Sequence, residues 1–436
     1  MQRDLYQALL AWKTDQRRKP LVLKGARQVG KTYILKTFAK QEFAEYIYLN
    51  FESEPELKNL FNGSIKAKDL LEKISLYKGL AIKPLLTLLI FDEVQECPEA
   101  LNSLKYFQEE ANELHVIAAG SLLGVKLAQT KGFPVGKVDF LELFPLSFFE
   151  FLDAIGKNKL RTYLEELTTI QSIPEPFHSE LLVILKKYMY VGGMPEAVAE
   201  YAKSQDLLII RKIQDAILKS YDSDFSKHAP KDQIMKISQV WGSIPRQLAK
   251  ENKKFVFTAV KESARGREFE TAIQWLLEAG LILKSYNITT PRLPLSEYGD
   301  TNAFKVFLLD VGLLTAMSDI PVKSVVAEIG IFNEFFGAFT ENLVAQELSL
   351  RQQALYYWTS EGKAEVDFII AHDLAIYPLE VKAVASLRKK SLIEYGKNFD
   401  PKLLLRASTM NFRQDGNVCN FPLYLIGKLD RFLHIG

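Results

Sequence analysis

The chain has 436 residues, 48% hydrophobic and 25% charged, with 55 Lys and Arg against 53 Asp and Glu. That length exceeds one hydrophobic core and points to about three domains, and the composition is that of a globular protein, not a disordered or fibrous one. A net charge of +2 argues neither for nor against an acidic partner, so any nucleic-acid surface must be local, and two cysteines, Cys97 and Cys419, far apart in sequence, exclude a disulfide scaffold or a cysteine zinc site.

Residues 1–19 read as an amphipathic helix with Leu5, Leu9 and Trp12 on one face, ending in Arg17-Arg18-Lys19 before Pro20. The start of the chain shows no apolar leader. The longest apolar runs, such as Leu85–Phe91, are too short to span a bilayer, so a cytoplasmic protein with no membrane partner is expected. From Leu21 to about Glu150 short strands alternate with helical stretches: Leu21–Leu23, Tyr46–Phe51, Leu85–Phe91, His115–Ala119 and Val138–Leu143. Apolar strands spaced by helices imply an α/β fold with a parallel sheet covered on both faces.

The first strand runs into Gly25-Ala26-Arg27-Gln28-Val29-Gly30-Lys31-Thr32, followed by a helix to about Lys40. Strand, Gly-x-x-x-x-Gly-Lys-Thr and helix together form the context of a P-loop. The glycines let successive N–H groups turn inward on a phosphate, and the helix N-terminus adds unsatisfied donors and its positive dipole end. Lys31 would reach the β- and γ-phosphates of ATP, and Thr32 would take a place on Mg²⁺.

Downstream, Leu88-Leu89-Ile90-Phe91 runs into Asp92-Glu93. An apolar strand ending in two acids suits a Walker B element. Asp92 would hold Mg²⁺ through water, and Glu93 would polarise the water that attacks the γ-phosphate. The alternative is a strand that ends at a solvated acidic turn. The next strand ends Ala118-Ala119-Gly120-Ser121, which puts Ser121 at the same sheet edge, as a γ-phosphate sensor or as the cap of the following helix. No arginine finger stands out: Arg27 lies inside the P-loop, and Lys137 precedes the last strand.

Residues 151–229 are mostly helical, broken at Gly192-Gly193-Met194-Pro195-Glu196, and read as a lid over the nucleotide or a plain connector. Between 230 and 330 the pattern changes. Ile234–Trp241, Ile244–Lys250 and Ala264–Ala279 read as three helices, with Gly280 ending the last. Leu281–Thr289 and Phe304–Leu309 read as two strands joined by a Pro-rich loop. Three helices and a β-ribbon are the layout of a winged helix. Within 246–267, seven Lys or Arg face two Glu. Arg265 and Arg267 at the start of the third helix are the candidate contacts to double-stranded DNA, although winged helices also dock proteins.

The segment 331–436 opens on a long helix, Phe332–Leu350, carrying Glu341. A strand Glu365–Ile370 and the run Ile376–Lys382 follow. A hairpin there would bring Asp367 beside Glu380, with Lys382 on the same face as Glu380. Two acids and a lysine around a divalent metal are the parts of a phosphodiesterase, with Glu341 as a further ligand. The alternative is a solvated strand face. Arg388, Lys389 and Lys390 extend a second basic cluster suited to a phosphodiester backbone.

With these residues in view, the chain resembles a prokaryotic family that joins an AAA-type P-loop ATPase of the archaeal ATPase and STAND-like branch to a C-terminal domain of unknown function. The likeness rests on Gly25–Thr32, Ile90-Phe91-Asp92-Glu93 with Gln95, Ala119-Gly120-Ser121, Phe144-Pro145-Leu146-Ser147-Phe148, Gly192–Glu196, Ala279-Gly280-Leu281, and Glu365–Phe368 with Glu380-Val381-Lys382. It implies a nucleotide-gated switch or motor (1–150), a helical lid or connector (151–229), a winged helix (230–330) and a restriction-endonuclease-like PD-(D/E)XK domain (331–436). Many relatives carry Arg where Lys137 stands, and Lys lacks the bidentate fork of Arg. The expectation is an Mg²⁺-dependent ATPase acting on or near DNA, with Asp367, Glu380 and Lys382 as a nuclease site. Its rival is an ATP/ADP-gated switch that binds protein partners, in oligomeric or heteromeric form, through an inactive nuclease-like domain.

Overall fold

The computed structural model describes residues 1–125, 136–250, 254–262, 265–323, 330–351, 353–360, 364–383 and 390–435, the side chains of 330–335 and 434–435 excepted. The expected basic positions Lys253, Arg388 and Lys389 lie outside them. The chain divides into two compact units. One comprises Gln2–Phe144 with Glu278–Gly280, and the other comprises Pro145–Leu277 and Leu281–Gly436 with Met1. Among the described residues no helix is long and apolar enough to cross a membrane.

The first unit is built on five strands: β1 Leu21–Lys24, β2 Glu45–Asn50, β3 Thr87–Asp92, β4 His115–Ala119 and β5 Asp139–Glu142. They form one sheet in the order β2-β3-β4-β1-β5, every neighbour parallel, as the alternation of strands and helices predicts. Its helices include α1 Leu5–Thr14, α2 Lys31–Glu42, α3 Ala67–Lys78 and α4 Pro98–Glu110. β3 and β4 are buried along their whole length, which is why they read as unbroken apolar runs and not as alternation. Val22, Leu49, Phe91, Val116, Ala118, Leu70 and Phe107 share one continuous core beside the sheet. Parallel order places the C-terminal ends of β1, β3 and β4 at a common edge, the edge where ligands bind in open α/β sheets.

The second unit begins with five helices: α5 Phe148–Ala154, α6 Asn158–Glu166, α7 Glu175–Val191, α8 Pro195–Ser204 and α9 Leu207–His228. Ser147 starts α5 with a capping box, its hydroxyl accepting from the Glu150 amide while the Glu150 carboxylate accepts from the Ser147 amide. The break at Gly192-Gly193 is dictated by close approach. A Cβ on Gly193 would stand 2.1 Å from the Leu146 carbonyl oxygen, and that glycine's own carbonyl accepts from the Leu146 amide at 2.7 Å.

The two helices expected over 234–250 are a single one, α10 Ile234–Leu248, with Pro245 inside it. Its buried stripe Ile237, Val240, Trp241, Ile244 and Leu248 keeps helical spacing across the proline, so packing outweighs the lost amide donor. The third helix is α11 Gly266–Glu278. The expected ribbon is β6 Ile282–Ile288 paired antiparallel with β7 Gly299–Leu308, and it does not stand alone. Beyond it come α12 Val311–Met317, α13 Gly330–Ser349, β8 Leu355–Ser360, β9 Ala364–His372 and β10 Ala375–Val381. Then come α14 Lys390–Phe399, β11 Leu404–Ser408, β12 Arg413–Asp415 and β13 Val418–Pro422, followed by 3-10 turns over Leu423–Ile435. β6 pairs parallel with β8, so the ribbon is one end of an eight-stranded mixed sheet ordered β12-β13-β11-β10-β9-β8-β6-β7.

One helix ties this unit together. Along α13, the Asn342 side chain accepts from the Leu308 amide and donates to the Leu308 carbonyl. Gln346 accepts from the Val311 amide, and Glu347 accepts from the Phe148 amide. These polar side chains are buried, and each satisfies backbone that a helix start or strand end leaves open.

Candidate active site

At the carboxyl edge of the five-stranded sheet, Gly25 follows β1 with φ +146°, and a Cβ there would lie 2.3 Å from the Leu143 carbonyl oxygen. Only glycine fits. Gln28 and Gly30 also take positive φ, 66° and 96°, and α2 starts at Lys31 directly after Gly30. The buried Arg3 guanidinium braces the loop by donating to the Val29 carbonyl at 3.0 Å and to the Phe144 carbonyl. Arg27 leans outward and pairs with Glu52 at 3.4 Å.

Lys31 is buried, and its ammonium donates to the carbonyls of Gly25 at 3.0 Å and Ala26 at 2.8 Å. Burial lowers its pKa to about 8, against the opposing pull of Glu93 and Asp92. Asp92, fully buried at the end of β3, receives two hydroxyls on Oδ2, Thr32 at 2.7 Å and Tyr48 at 2.6 Å. Its Oδ1 accepts the Glu93 amide at 3.0 Å. Glu93 takes a left-handed backbone with φ 51°, which turns its side chain off the strand axis. Gln95 Nε2 donates to Glu93 Oε2 at 2.6 Å, and the Ser121 hydroxyl stands 3.5 Å from the same oxygen. Burial raises the Glu93 pKa, and the Gln95 hydrogen bond works against that rise.

Lys31, Thr32, Asp92, Glu93 and Ser121 therefore come together at one edge of the sheet. The donor set fits a metal–nucleotide pair: a loop of backbone amides with a lysine for phosphate, and a hydroxyl on a carboxylate for a hard, oxygen-seeking cation. Tyr48 and Arg3 were not read from the sequence as site residues. Tyr48 carried a signal, since it lies on the strand that pairs with the Walker B strand, at Tyr48↔Ile90. Arg3 carried none. Lys137 pairs with Glu109 at 3.1 Å.

In the second unit, β9 and β10 form the expected hairpin. Asp373 and Leu374 both have positive φ in its two-residue turn, and Leu379 pairs with Phe368. Asp367 Oδ2 accepts the Val381 amide at 2.7 Å. The acids group differently from the expected joint ligation by Glu341, Asp367 and Glu380. Glu341 and Asp367 meet, with Glu365, at the ammonium of Lys305, while Glu380 pairs with Lys382 at 2.8 Å. Among the described residues no three or more His, Cys, Asp or Glu are arranged to hold a metal ion. Lys305 stood in plain sight as one charge inside the apolar run Phe304–Leu308. Arg265 and Arg267 are both exposed.

Three stretches match family models. Residues 17–152 match an AAA domain, 183–324 match a domain of unknown function (DUF8612), and 336–426 match a domain of unknown function (DUF4143). No curated protein sequence matches the chain. Similar solved structures include the Walker-type ATPase PABY2304 of Pyrococcus abyssi, at 13% identity and TM-score 0.46, covering 73% of this chain and 95% of that one. Cdc6p from Pyrobaculum aerophilum aligns at 12% identity and TM-score 0.25, covering 75% of this chain and 93% of that one. RuvB of Thermotoga maritima aligns at 15% and 0.28, covering 67% and 88%. Residues 17–152 thus resemble an AAA domain and carry a P-loop at the carboxyl edge of a parallel sheet.

Proposed function

We propose that the chain hydrolyses ATP with Mg²⁺ at the edge formed by β1, β3 and β4. The observation that carries this reading is the convergence of Lys31, Thr32, Asp92 and Glu93 on one edge. ATP would lay its phosphates along the amides of Gly25–Thr32, and Lys31 would exchange two carbonyl partners for the β- and γ-phosphates. Thr32 and Asp92 would hold Mg²⁺, which neutralises charge on the phosphate oxygens when bound. Glu93 takes the proton of the attacking water, with Ser121 beside it. Glu93→Gln tests this assignment: ATP still binds, and phosphate release falls steeply. Unchanged turnover removes Glu93 from the reaction.

A DNA-linked cycle is the second part of this reading. It is supported by the exposure of Arg265 and Arg267 within a segment holding seven basic and two acidic residues. A nucleotide switch that docks a protein partner is the competing use of the same surface, and a DNA-independent ATPase rate favours it.

A further inference from the structure

Lys305 lies mid-strand on β7 and is completely buried. Its ammonium donates to Glu341 Oε1 at 2.9 Å, and reaches Glu365 Oε1 at 2.6 Å and Asp367 Oδ1 at 3.8 Å. The Tyr357 ring stands 4.9 Å from the same nitrogen, adding a cation–π contact. Glu365 and Asp367 are two apart on β9 and so share a face, while Glu341 comes from α13. A buried lysine without partners sheds its proton. Here burial pulls the ammonium's pKa down, but Glu341, Asp367 and Glu365 together outweigh it and hold it above the ordinary lysine value.

Carboxylates from one helix and one strand are also the parts of an oxygen-ligated divalent site. All but one of the named carboxylate oxygens are already engaged. Glu341 Oε1, Glu365 Oε1 and Asp367 Oδ1 face Lys305 Nζ, and Asp367 Oδ2 accepts the Val381 amide. Glu380 Oε1 is taken by Lys382, and Glu380 Oε2 is buried with no hydrogen-bond partner among the described residues. A dication entering between Glu341 and Asp367 would have to displace a cation that is completely buried. We propose that Lys305 is the resident cation of this acidic cluster, standing where a divalent metal would otherwise bind. β7, α13 and β9 are thereby joined without metal, and the C-terminal acids do not cleave phosphodiesters.

The test is Mn²⁺ titration of the full-length, nucleotide-free protein followed by electron paramagnetic resonance, on wild type, Asp367→Asn and Glu365→Gln. The proposal expects the same Mn²⁺ stoichiometry in all three. Loss of one tight equivalent in either variant overturns it. Thermal unfolding gives an independent readout. Chelator leaves the wild-type melting temperature unchanged, Lys305→Met lowers it by about 10 °C because three carboxylates lose their counter-charge, and adding Glu341→Gln to Lys305→Met restores part of the loss. A Lys305→Met protein as stable as wild type overturns the proposal. If Lys305→Met does not fold, the titration of the other variants decides. Nicking of supercoiled DNA with Mg²⁺ or Mn²⁺ that disappears in Asp367→Asn overturns it as well.

Discussion

The Thr32 hydroxyl donates to Asp92 Oδ2 at 2.7 Å, linking the first turn of α2 to the last residue of β3. In the proposed site both groups would hold the same Mg²⁺, and their contact puts the loop and the acidic strand within reach of one cation. Tyr48 shares the same carboxylate oxygen at 2.6 Å. It orients Asp92 from the neighbouring strand. Tyr48→Phe should therefore weaken Mg²⁺ affinity in the presence of nucleotide by roughly tenfold or more, with ATP affinity in chelator unchanged. Calorimetric titration with and without Mg²⁺ separates the two effects. Equal loss in both conditions would mean that Tyr48 only supports the fold.

With Glu93 as the proposed general base, the Gln95 hydrogen bond would tune its working pH. A general base acts deprotonated, so activity falls as pH drops through its pKa. Burial raises that pKa, which places the acid limb of kcat/KM above the range of an ordinary glutamate. The Gln95 amide stabilises the carboxylate, so Gln95→Ala should shift the limb to still higher pH while ATP affinity holds. A limb that does not move would show that Gln95 does not act on Glu93 in the reacting complex.

Asp310 is a buried carboxylate held, among the described residues, by backbone amides. It accepts the Gly193 amide at 2.6 Å and, at the start of α12, the Leu313 amide at 2.9 Å. Asp310→Ala removes a cap and strands a buried donor, at a cost of about 2–4 kcal/mol, measurable by urea unfolding. Burial raises its folded pKa to about 6 from an unfolded value of 3.8. The folded state thus binds the extra proton in that window, and Asp310 lowers stability as pH rises from about 4 through 6. Asp310→Asn should remove this component of the pH slope. An identical slope in wild type and variant would contradict the assignment.

Arg265 and Arg267 make a prediction by charge. If the segment 246–267 contacts duplex backbone, log K falls by about 0.9 per phosphate neutralised as log salt rises, and replacing both arginines by Ala flattens the slope by about two contacts. Fluorescence anisotropy reads it. No binding at low salt, or a slope indifferent to both arginines, leaves protein docking as the use of this surface.

What could be read in advance follows from how local each signal is. Gly25–Thr32 was legible because phosphate binding needs those residues in consecutive order, and Asp92-Glu93 because a buried strand that ends in acids is conspicuous. The hairpin over Glu365–Val381 was legible from its two apolar strands. Partner choice was not. Nothing within 282–308 says that β6 will pair with β8 and extend a larger sheet, because that pairing is made by residues some seventy positions away. Lys305 is the same case. Its local sequence shows a charge in an apolar strand, but the carboxylates that explain it lie on α13 and β9. The single helix α10 reads as two from local sequence, whereas its buried stripe runs on through Pro245.

The most direct test of the central claim is phosphate release from ATP by wild type, Lys31→Ala and Glu93→Gln, with ATP affinity measured on the same preparations. Lys31→Ala should lose Mg·ATP binding and turnover together, while Glu93→Gln should keep binding and lose turnover by roughly a hundredfold or more. Mg·ATP bound and hydrolysed equally well without Lys31 would contradict hydrolysis at this edge of the sheet, while Glu93→Gln turnover equal to wild type would remove Glu93 from the reaction.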